Sequence, residues 1–144
     1  MLVSDAETNV LVSAADTFLR GYPPFDAMAC EARRDLAARL KLAYFAKGAK
    51  ALEPAAGSPS ALFIVQRGRI ESRRADQSMS AESARALGPG EVFPISALVA
   101  DRSSRNVYRA LEDSFCYLLP RVEFLRCFEA DAVFRRFCTN YLSS

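Results

Sequence analysis

Apolar residues recur at helical spacing near the start of the chain. In residues 5–19 they fall on one face of a predicted helix, which Gly21 and the two prolines after Tyr22 should end. A second helix should follow, with Asp26 as its N-cap. Its apolar face is made by Met28, Ala32, Leu36, Ala37 and Leu40. Its basic residues are expected mainly on the solvent-exposed face: Arg33, Arg34 and Arg39.

The pattern changes in the middle of the chain, where short β-prone runs alternate with turn residues about every 8–12 positions, which is typical of a sandwich or barrel. Strands are predicted near residues 41–46, 49–52, 61–66, 69–74, 83–87, 91–93, 106–112 and 114–119. Tight turns are expected at Arg67-Gly68, where glycine adopts positive φ without strain, and at Glu112-Asp113. The small polar residues 75–82 are predicted to form a loop.

Two helices are predicted after the last strand. Pro120 suits the first turn of a helix over about 121–128, because the N–H that proline lacks has no helical partner there. A final helix begins near residue 131, and its apolar pairs form a wide stripe: Val133/Phe134, Phe137/Cys138 and Tyr141/Leu142. The stripe packs on the core, or forms a dimer seam, or docks a following domain. The pattern leaves these alternatives open.

Composition excludes several classes of function. The chain contains no histidine, which removes histidine-based acid–base catalysis, Ser-His and Cys-His nucleophiles and most zinc sites. The cysteines lack Cys-x-x-Cys spacing and are expected to be buried, reduced thiols: Cys30, Cys116, Cys127 and Cys138. A formal net charge of +2 provides no broad basic surface for nucleic acid. We therefore expect no catalytic residues, no metal site and no nucleic-acid partner.

The hydropathy of the chain also predicts where it resides. The longest apolar stretches are only a few residues, too short to cross a membrane. No basic residue precedes Arg20, so the first residues do not read as a secretory signal. The expectation is a cytoplasmic domain with no membrane partner.

Three segments, in order, resemble a known family. Residues 41–70 read as a strand, a turn at Gly48, a second strand, a linker and a third strand that ends at Gly68. Residues 87–93 read Leu-Gly-Pro-Gly-Glu-Val-Phe, and residues 107–119 supply two last strands. Together these segments resemble the cyclic nucleotide-binding domain over nearly the whole chain.

The resemblance implies a mainly β fold with flanking helices, a jelly-roll-type double-stranded β-helix. We expect an N-terminal helical segment over residues 1–24 and the family's domain over residues 25–144. Within that domain, the β-roll should occupy about 41–119 and the C-terminal helices about 120–142.

The family holds its ligand in a phosphate-binding cassette. A Gly-Glu pair meets the sugar there, and an arginine about eleven residues later meets the phosphate, as a buried anion requires. Gly90 resembles the family's earlier turn glycine, so Pro94 and Ile95 stand where the Gly-Glu pair is expected. Arg105 then has the register of the arginine, either as an anion ligand or as a solvated loop residue. Glu91 is expected to be a turn carboxylate.

This departure predicts a degenerate cassette. Pro94 has no N–H, and Ile95 cannot accept a hydrogen bond from a ribose hydroxyl, so binding of cAMP or cGMP should be weak or lost. Another anionic nucleotide is the alternative ligand. Neighbouring polar residues offer a different pocket, and the candidate ligand contacts are Pro94, Ile95, Ser96, Ala97, Arg102, Ser103, Ser104, Arg105 and Asn106.

A narrower resemblance concerns the parent protein. Residues 18–26, 91–98 and 108–120 are similar to the N-terminal domains of bacterial putative signal-transduction proteins. In those proteins a degenerate cyclic nucleotide-binding domain precedes CBS domains and a nucleotidyltransferase-like region. The resemblance implies a regulatory domain with no catalytic part, whose partners are those downstream domains.

Two functions remain after the resemblance. In one, a small anionic or nucleotide ligand binds near residues 96–106 and the terminal helices repack. In the other, the domain binds no ligand and its C-terminal helix mediates homodimerisation or domain docking. A cupin-type enzyme is disfavoured by the absence of histidine. A DNA-binding regulator of the catabolite activator type would need a helix-turn-helix after the final helix, which we do not expect here.

Overall fold

A computed structural model of the chain describes residues 5–75 and 84–143. Within these ranges the helices are α1 (Asp5–Leu19), α2 (Cys30–Ala38), α3 (Ile95–Ala100), α4 (Arg121–Ala130) and α5 (Ala132–Ser143). The strands are β1 (Lys41–Phe45), β2 (Lys50–Leu52), β3 (Ala61–Arg67), β4 (Ile70–Arg74), β5 (Ala84–Leu87), β6 (Val92–Phe93), β7 (Asn106–Ala110) and β8 (Ser114–Pro120). Short 3₁₀ helices occupy Phe25–Ala27 and Pro54–Ala56.

The strands form two antiparallel sheets. Sheet A has the order β1-β8-β3-β6, and sheet B has the order β2-β7-β4-β5. This arrangement confirms the predicted sheet-rich roll with flanking helices, and each predicted strand is present within a residue or two of its expected ends. Gly68 has φ +97° at the β3–β4 turn, as predicted. Apart from Ala75, the predicted loop at 75–82 lies outside the described residues, as does the first residue of the strand predicted at 83–87.

Sheet A separates two hydrophobic clusters. Phe63 and Val65 of β3 point into the roll, whereas Leu62 and Ile64 point to the opposite side, because side chains alternate along a strand. The outer cluster joins that face to α1, α2, α4 and α5. α3 also contributes to the outer cluster through Ile95 and Leu98. The helices and the start of the predicted cassette therefore share one core.

The cysteines follow the prediction with one exception. Cys116 and Cys138 are buried and Cys127 is half-buried, and burial raises the pKa of each of these thiols to about 12. They are therefore protonated at neutral pH. Cys30 is exposed, so its predicted burial is wrong. It begins α2, where the chain leaves the 3₁₀ turn at the surface.

The predicted N-cap of the second helix is also wrong. Asp26 lies inside the 3₁₀ helix Phe25–Ala27, and α2 begins at Cys30 with no side-chain cap from Ala29. The extra turn places Phe25 in the core, with its ring centroid 6.3 Å from that of Phe134. Burial of this aromatic ring outweighs the local preference for a capped helix start.

A buried ion pair joins α1 to α2. Arg34 and Arg39 are exposed as predicted, but Arg33 is buried, and its Nε donates to Asp16 Oδ1 at 2.8 Å. Arg20 NH2 also lies 2.9 Å from Asp16 Oδ2. Burial disfavours the Asp16 carboxylate, but the two arginines outweigh it and hold its pKa below the ordinary value. The solvent-facing position predicted for Arg33 is wrong because Asp16, on a different helix, requires a partner.

Replacing Asp16 should destabilise the domain. In Asp16→Ala the buried guanidinium of Arg33 loses its carboxylate, so the free energy of unfolding should fall by about 3–5 kcal/mol, measured by urea denaturation. Because folding lowers the pKa of Asp16, its contribution is complete above pH ~4 and is lost as the pH falls through the folded-state pKa.

Asp26→Ala is the matched control. Asp26 is exposed and does not cap α2, so this change should alter stability by less than about 0.5 kcal/mol. An equal decrease in the free energy of unfolding in Asp16→Ala and Asp26→Ala would contradict a stabilising role for the Asp16–Arg33 ion pair.

Candidate functional site

A cavity of about 500 Å³ lies between the inner face of sheet B and the segment that follows β6. Its residues from sheet B are Ser72, Arg74, Arg85, Leu87, Asn106 and Tyr108. Its opposite wall runs from Val92 to Ala97, and Arg102, Ser104 and Arg105 complete it. Tyr141 of α5 also lines the cavity, so the C-terminal helix contacts the same space.

The register of sheet B creates this cavity. Ile70 of β4 pairs with Leu87 on one side and Ala110 on the other, and all three are buried in the core. Two residues further along β4, Ser72 pairs with Arg85 and Tyr108. Positions two apart share a face of a strand, so the face that is apolar at Ile70 becomes polar at Ser72.

Neutral polar groups form one wall of the cavity. Asn106 Nδ2 donates to Ser72 Oγ at 2.7 Å, and Ser104 Oγ donates to the Asn106 carbonyl at 2.9 Å. Burial raises the pKa of Tyr108, while hydrogen bonds with Ser72, Ser104 and Asn106 act in the opposite direction. The Tyr108 hydroxyl therefore stays protonated at neutral pH. Its ring stacks on Phe93 with centroids 4.2 Å apart, which fixes its direction.

The charged groups of the cavity are basic. Arg74, Arg85, Arg102 and Arg105 line it, and no aspartate or glutamate among the described residues does so. Arg102 Nη1 donates to the Ser103 carbonyl at 3.1 Å, and the backbone N–H of Arg102 donates to the Ala97 carbonyl of α3. Arg105 lies at the exposed rim. Such a cavity favours an anion.

Glu91 is engaged in the turn before β6. Its Oε2 accepts from the backbone N–H of Gly88 at 2.7 Å, and its Oε1 lies 3.1 Å from Arg85 NH2. Glu91 does not line the cavity. This geometry matches the turn carboxylate expected from the sequence.

Most of the predicted site residues meet at this one cavity. It is lined by Pro94, Ile95, Ser96, Ala97, Arg102, Ser104, Arg105 and Asn106, while Ser103 is exposed and outside the lining. The Ile95 side chain is 2% exposed and belongs to the outer core cluster, so this residue also anchors α3. Pro94 is followed directly by the six residues of α3.

Sequence reasoning missed the sheet B residues. Ser72, Arg74, Arg85 and Tyr108 were assigned to strands without a site role. The two-residue alternation from buried Ile70 and Leu87 could have placed the first three on the inner face. These sheet B residues line the same cavity as the segment after β6 only because of how the strands pair, and the local sequence pattern does not encode that pairing.

Residues 5–75 and 84–143 contain neither a candidate metal-binding cluster nor a helix that could span a membrane. No group of three or more His, Cys, Asp or Glu side chains could hold a metal ion there. Over the same ranges, no helix combines the length and the apolar character needed to cross a membrane.

The chain shares its fold with solved structures of low sequence identity. The regulatory domain of Toxoplasma gondii PKA with cAMP superposes with a TM-score of 0.84 at 20% identity, over 99% of this chain and 53% of that one. The Thermus thermophilus catabolite activator protein superposes with a TM-score of 0.69 at 20% identity, over 83% of this chain and 55% of that one. A third structure is the regulatory subunit of a cAMP-independent protein kinase A from Trypanosoma cruzi bound to guanosine. It superposes with a TM-score of 0.72 at 16% identity, over 94% of this chain and 50% of that one.

The chain thus spans about half the length of each of these proteins. A comparison with curated protein sequences gives no significant match. The family model for the cyclic nucleotide-binding domain matches residues 54–131, which is more than half of the chain and includes the cavity wall from Val92 to Asn106. The chain therefore belongs to the cyclic nucleotide-binding domain family, whose fold serves regulation and is generally not catalytic.

Proposed function

We propose that the chain is the ligand-sensing regulatory domain of a bacterial signal-transduction protein, with a degenerate cassette that binds cAMP and cGMP weakly or not at all. One observation carries the proposal. Ile95, which the sequence resemblance aligns with the family's ribose-binding glutamate, is buried in the outer core cluster, and Pro94 before it has no N–H. The nearest carboxylate along the chain, Glu91, is engaged by Gly88 and Arg85.

The energetic consequence concerns the ribose hydroxyl. A buried hydroxyl without an acceptor costs about 1–3 kcal/mol, which corresponds to roughly a tenfold to hundredfold loss of affinity. The neutral wall of Ser72, Asn106 and Tyr108 offers weaker partners than a carboxylate. A similar fold in a cAMP-independent regulatory subunit bound to guanosine supports the view that the roll persists without cAMP control.

Tyr141 connects the cavity to the C-terminal helix α5. It lines the cavity from α5, and the same helix buries Phe134 and Cys138 in the outer core cluster. A ligand that contacts Tyr141 in one arrangement of α5 better than in another shifts the population towards that arrangement. We propose that the downstream CBS and nucleotidyltransferase-like domains of the parent protein respond to this change.

A docking role is the second candidate. Val122 of α4 is 66% exposed, and Val133 and Leu142 of α5 are about 40% exposed. These apolar side chains favour a module that forms a homodimer through its C-terminal helix. In sedimentation velocity, Leu142→Glu should then convert a dimer to a monomer without loss of helical circular dichroism. A wild-type monomer at all concentrations would contradict this role.

The degenerate cassette predicts weak cyclic nucleotide binding. By isothermal titration calorimetry, cAMP and cGMP should bind at least ~10-fold more weakly than cAMP binds the Toxoplasma gondii regulatory domain, measured in parallel. The missing acceptor for the ribose hydroxyl is the reason. Equal affinity in the two proteins would contradict the degenerate cassette.

Introducing the missing carboxylate should damage the fold rather than restore binding. Ile95→Glu buries a charge in the outer core cluster, and we expect a loss of more than about 3 kcal/mol in urea denaturation. Ile95→Met nearly conserves the volume and should cost less than about 1.5 kcal/mol. A stable Ile95→Glu protein that gains affinity for cAMP would show that this side chain reaches the ligand.

A further inference from the structure

We propose that the cavity selects a nucleoside 5′-monophosphate, a phosphomonoester, over the cyclic nucleotide of the same base. This inference rests on the proposed function, because it requires that the cavity bind a ligand. It concerns the charge and shape of that ligand.

The cavity contains positive charge that no described carboxylate balances. Arg85 forms an ion pair with Glu91. Arg102 donates only to a backbone carbonyl, and neither it nor Arg105 forms a salt bridge with a described residue. Arg105 also makes no side-chain hydrogen bond within the described part of the chain. Arg102 and Arg105 therefore line one cavity, and neither is paired with a described carboxylate.

The two ligand classes differ in charge. The phosphodiester of a cyclic nucleotide carries one negative charge, whereas a phosphomonoester carries about −1.5 to −2 at pH 7 and has three strong acceptor oxygens. Each guanidinium can bind two such oxygens in a fork. The charge of a dianion therefore matches the combined charge of Arg102 and Arg105 more closely than the single charge of a cyclic phosphate does.

The remaining walls suit a nucleoside. Ser72, Asn106 and Tyr108 provide neutral hydrogen-bonding groups. Leu87, Val92 and Phe93 provide apolar surface around the same space. A volume of about 500 Å³ is within the usual range for small-ligand pockets. Both ligands present a sugar and a base to these walls, so the expected difference in affinity arises from the phosphate.

The test is a matched comparison on the full chain. Isothermal titration calorimetry in ~150 mM salt compares 5′-AMP with cAMP and 5′-GMP with cGMP, with inorganic phosphate as a third probe. We expect at least one 5′-monophosphate to bind ~10-fold or more tightly than its cyclic partner, and more tightly than inorganic phosphate.

Arginine variants locate the phosphate. Arg102→Gln and Arg105→Gln should each weaken binding of the 5′-monophosphate by ~10-fold. Each should also reduce the ratio of its affinity to that of the cyclic nucleotide. Arg34→Gln is the matched control, since Arg34 is exposed on α2 and outside the cavity. It should leave the affinity unchanged. Circular dichroism of each variant verifies the fold.

A pH series separates a charge effect from a shape effect. The second ionisation of a phosphomonoester has a pKa near 6, so its affinity should rise up to about fourfold from pH 5.5 to 7.5 while that of the cyclic nucleotide stays constant. The titratable groups that line the described cavity include no carboxylate, imidazole or thiol, and they are Arg74, Arg85, Arg102, Arg105, Tyr108 and Tyr141. The chain also has no histidine.

The outcomes distinguish the two proposals. Cyclic nucleotides that bind as tightly as the 5′-monophosphates, or arginine variants that bind as the wild type does, would overturn the phosphomonoester assignment and leave a ligand sensor. Inorganic phosphate that binds equally tightly would indicate an unselective anion site and would also overturn it. No binding of any probe would overturn the sensing function itself.

Discussion

The two-residue alternation of side chains on sheet B is the constraint on which the core and the cavity both depend. The register aligns Leu87, Ile70 and Ala110 in one buried row and Arg85, Ser72 and Tyr108 in the next. A shift of one residue in this pairing would turn both rows to the opposite face. The same hydrogen-bonded ladder therefore closes the roll and orients the groups that a ligand would meet.

α3 links the cavity to the helical layer. It follows Pro94 along the cavity wall, yet Ile95 and Leu98 pack in the outer core cluster with Phe134 and Cys138 of α5. Because this shared core is close-packed, a displacement of this wall would require α5 to repack. Ile95 therefore belongs both to the cavity lining and to the core that holds the helices.

The sequence predicted the local features well and the nonlocal ones poorly. The strands were predicted from alternating β-prone runs and glycine turns, and the start of α4 was predicted from Pro120. Asp26 was misplaced because burial of Phe25 demanded a 3₁₀ turn. Arg33 was misplaced because its partner Asp16 lies on another helix. Both of these errors concern a residue whose position depends on a contact distant in the chain.

By itself, the sequence determined the element order, the roll and the absence of histidine, because these are properties of spacing and residue type. Only the tertiary structure decided that Ser72, Arg74, Arg85 and Tyr108 face the segment from Pro94 to Asn106. It also decided that Glu91 is engaged by Gly88 in its turn and does not line the cavity. The physical reason is that a cavity exists only where strands pair across the sheet and a separate segment packs over them, and pairing energy is distributed over contacts that no local pattern contains.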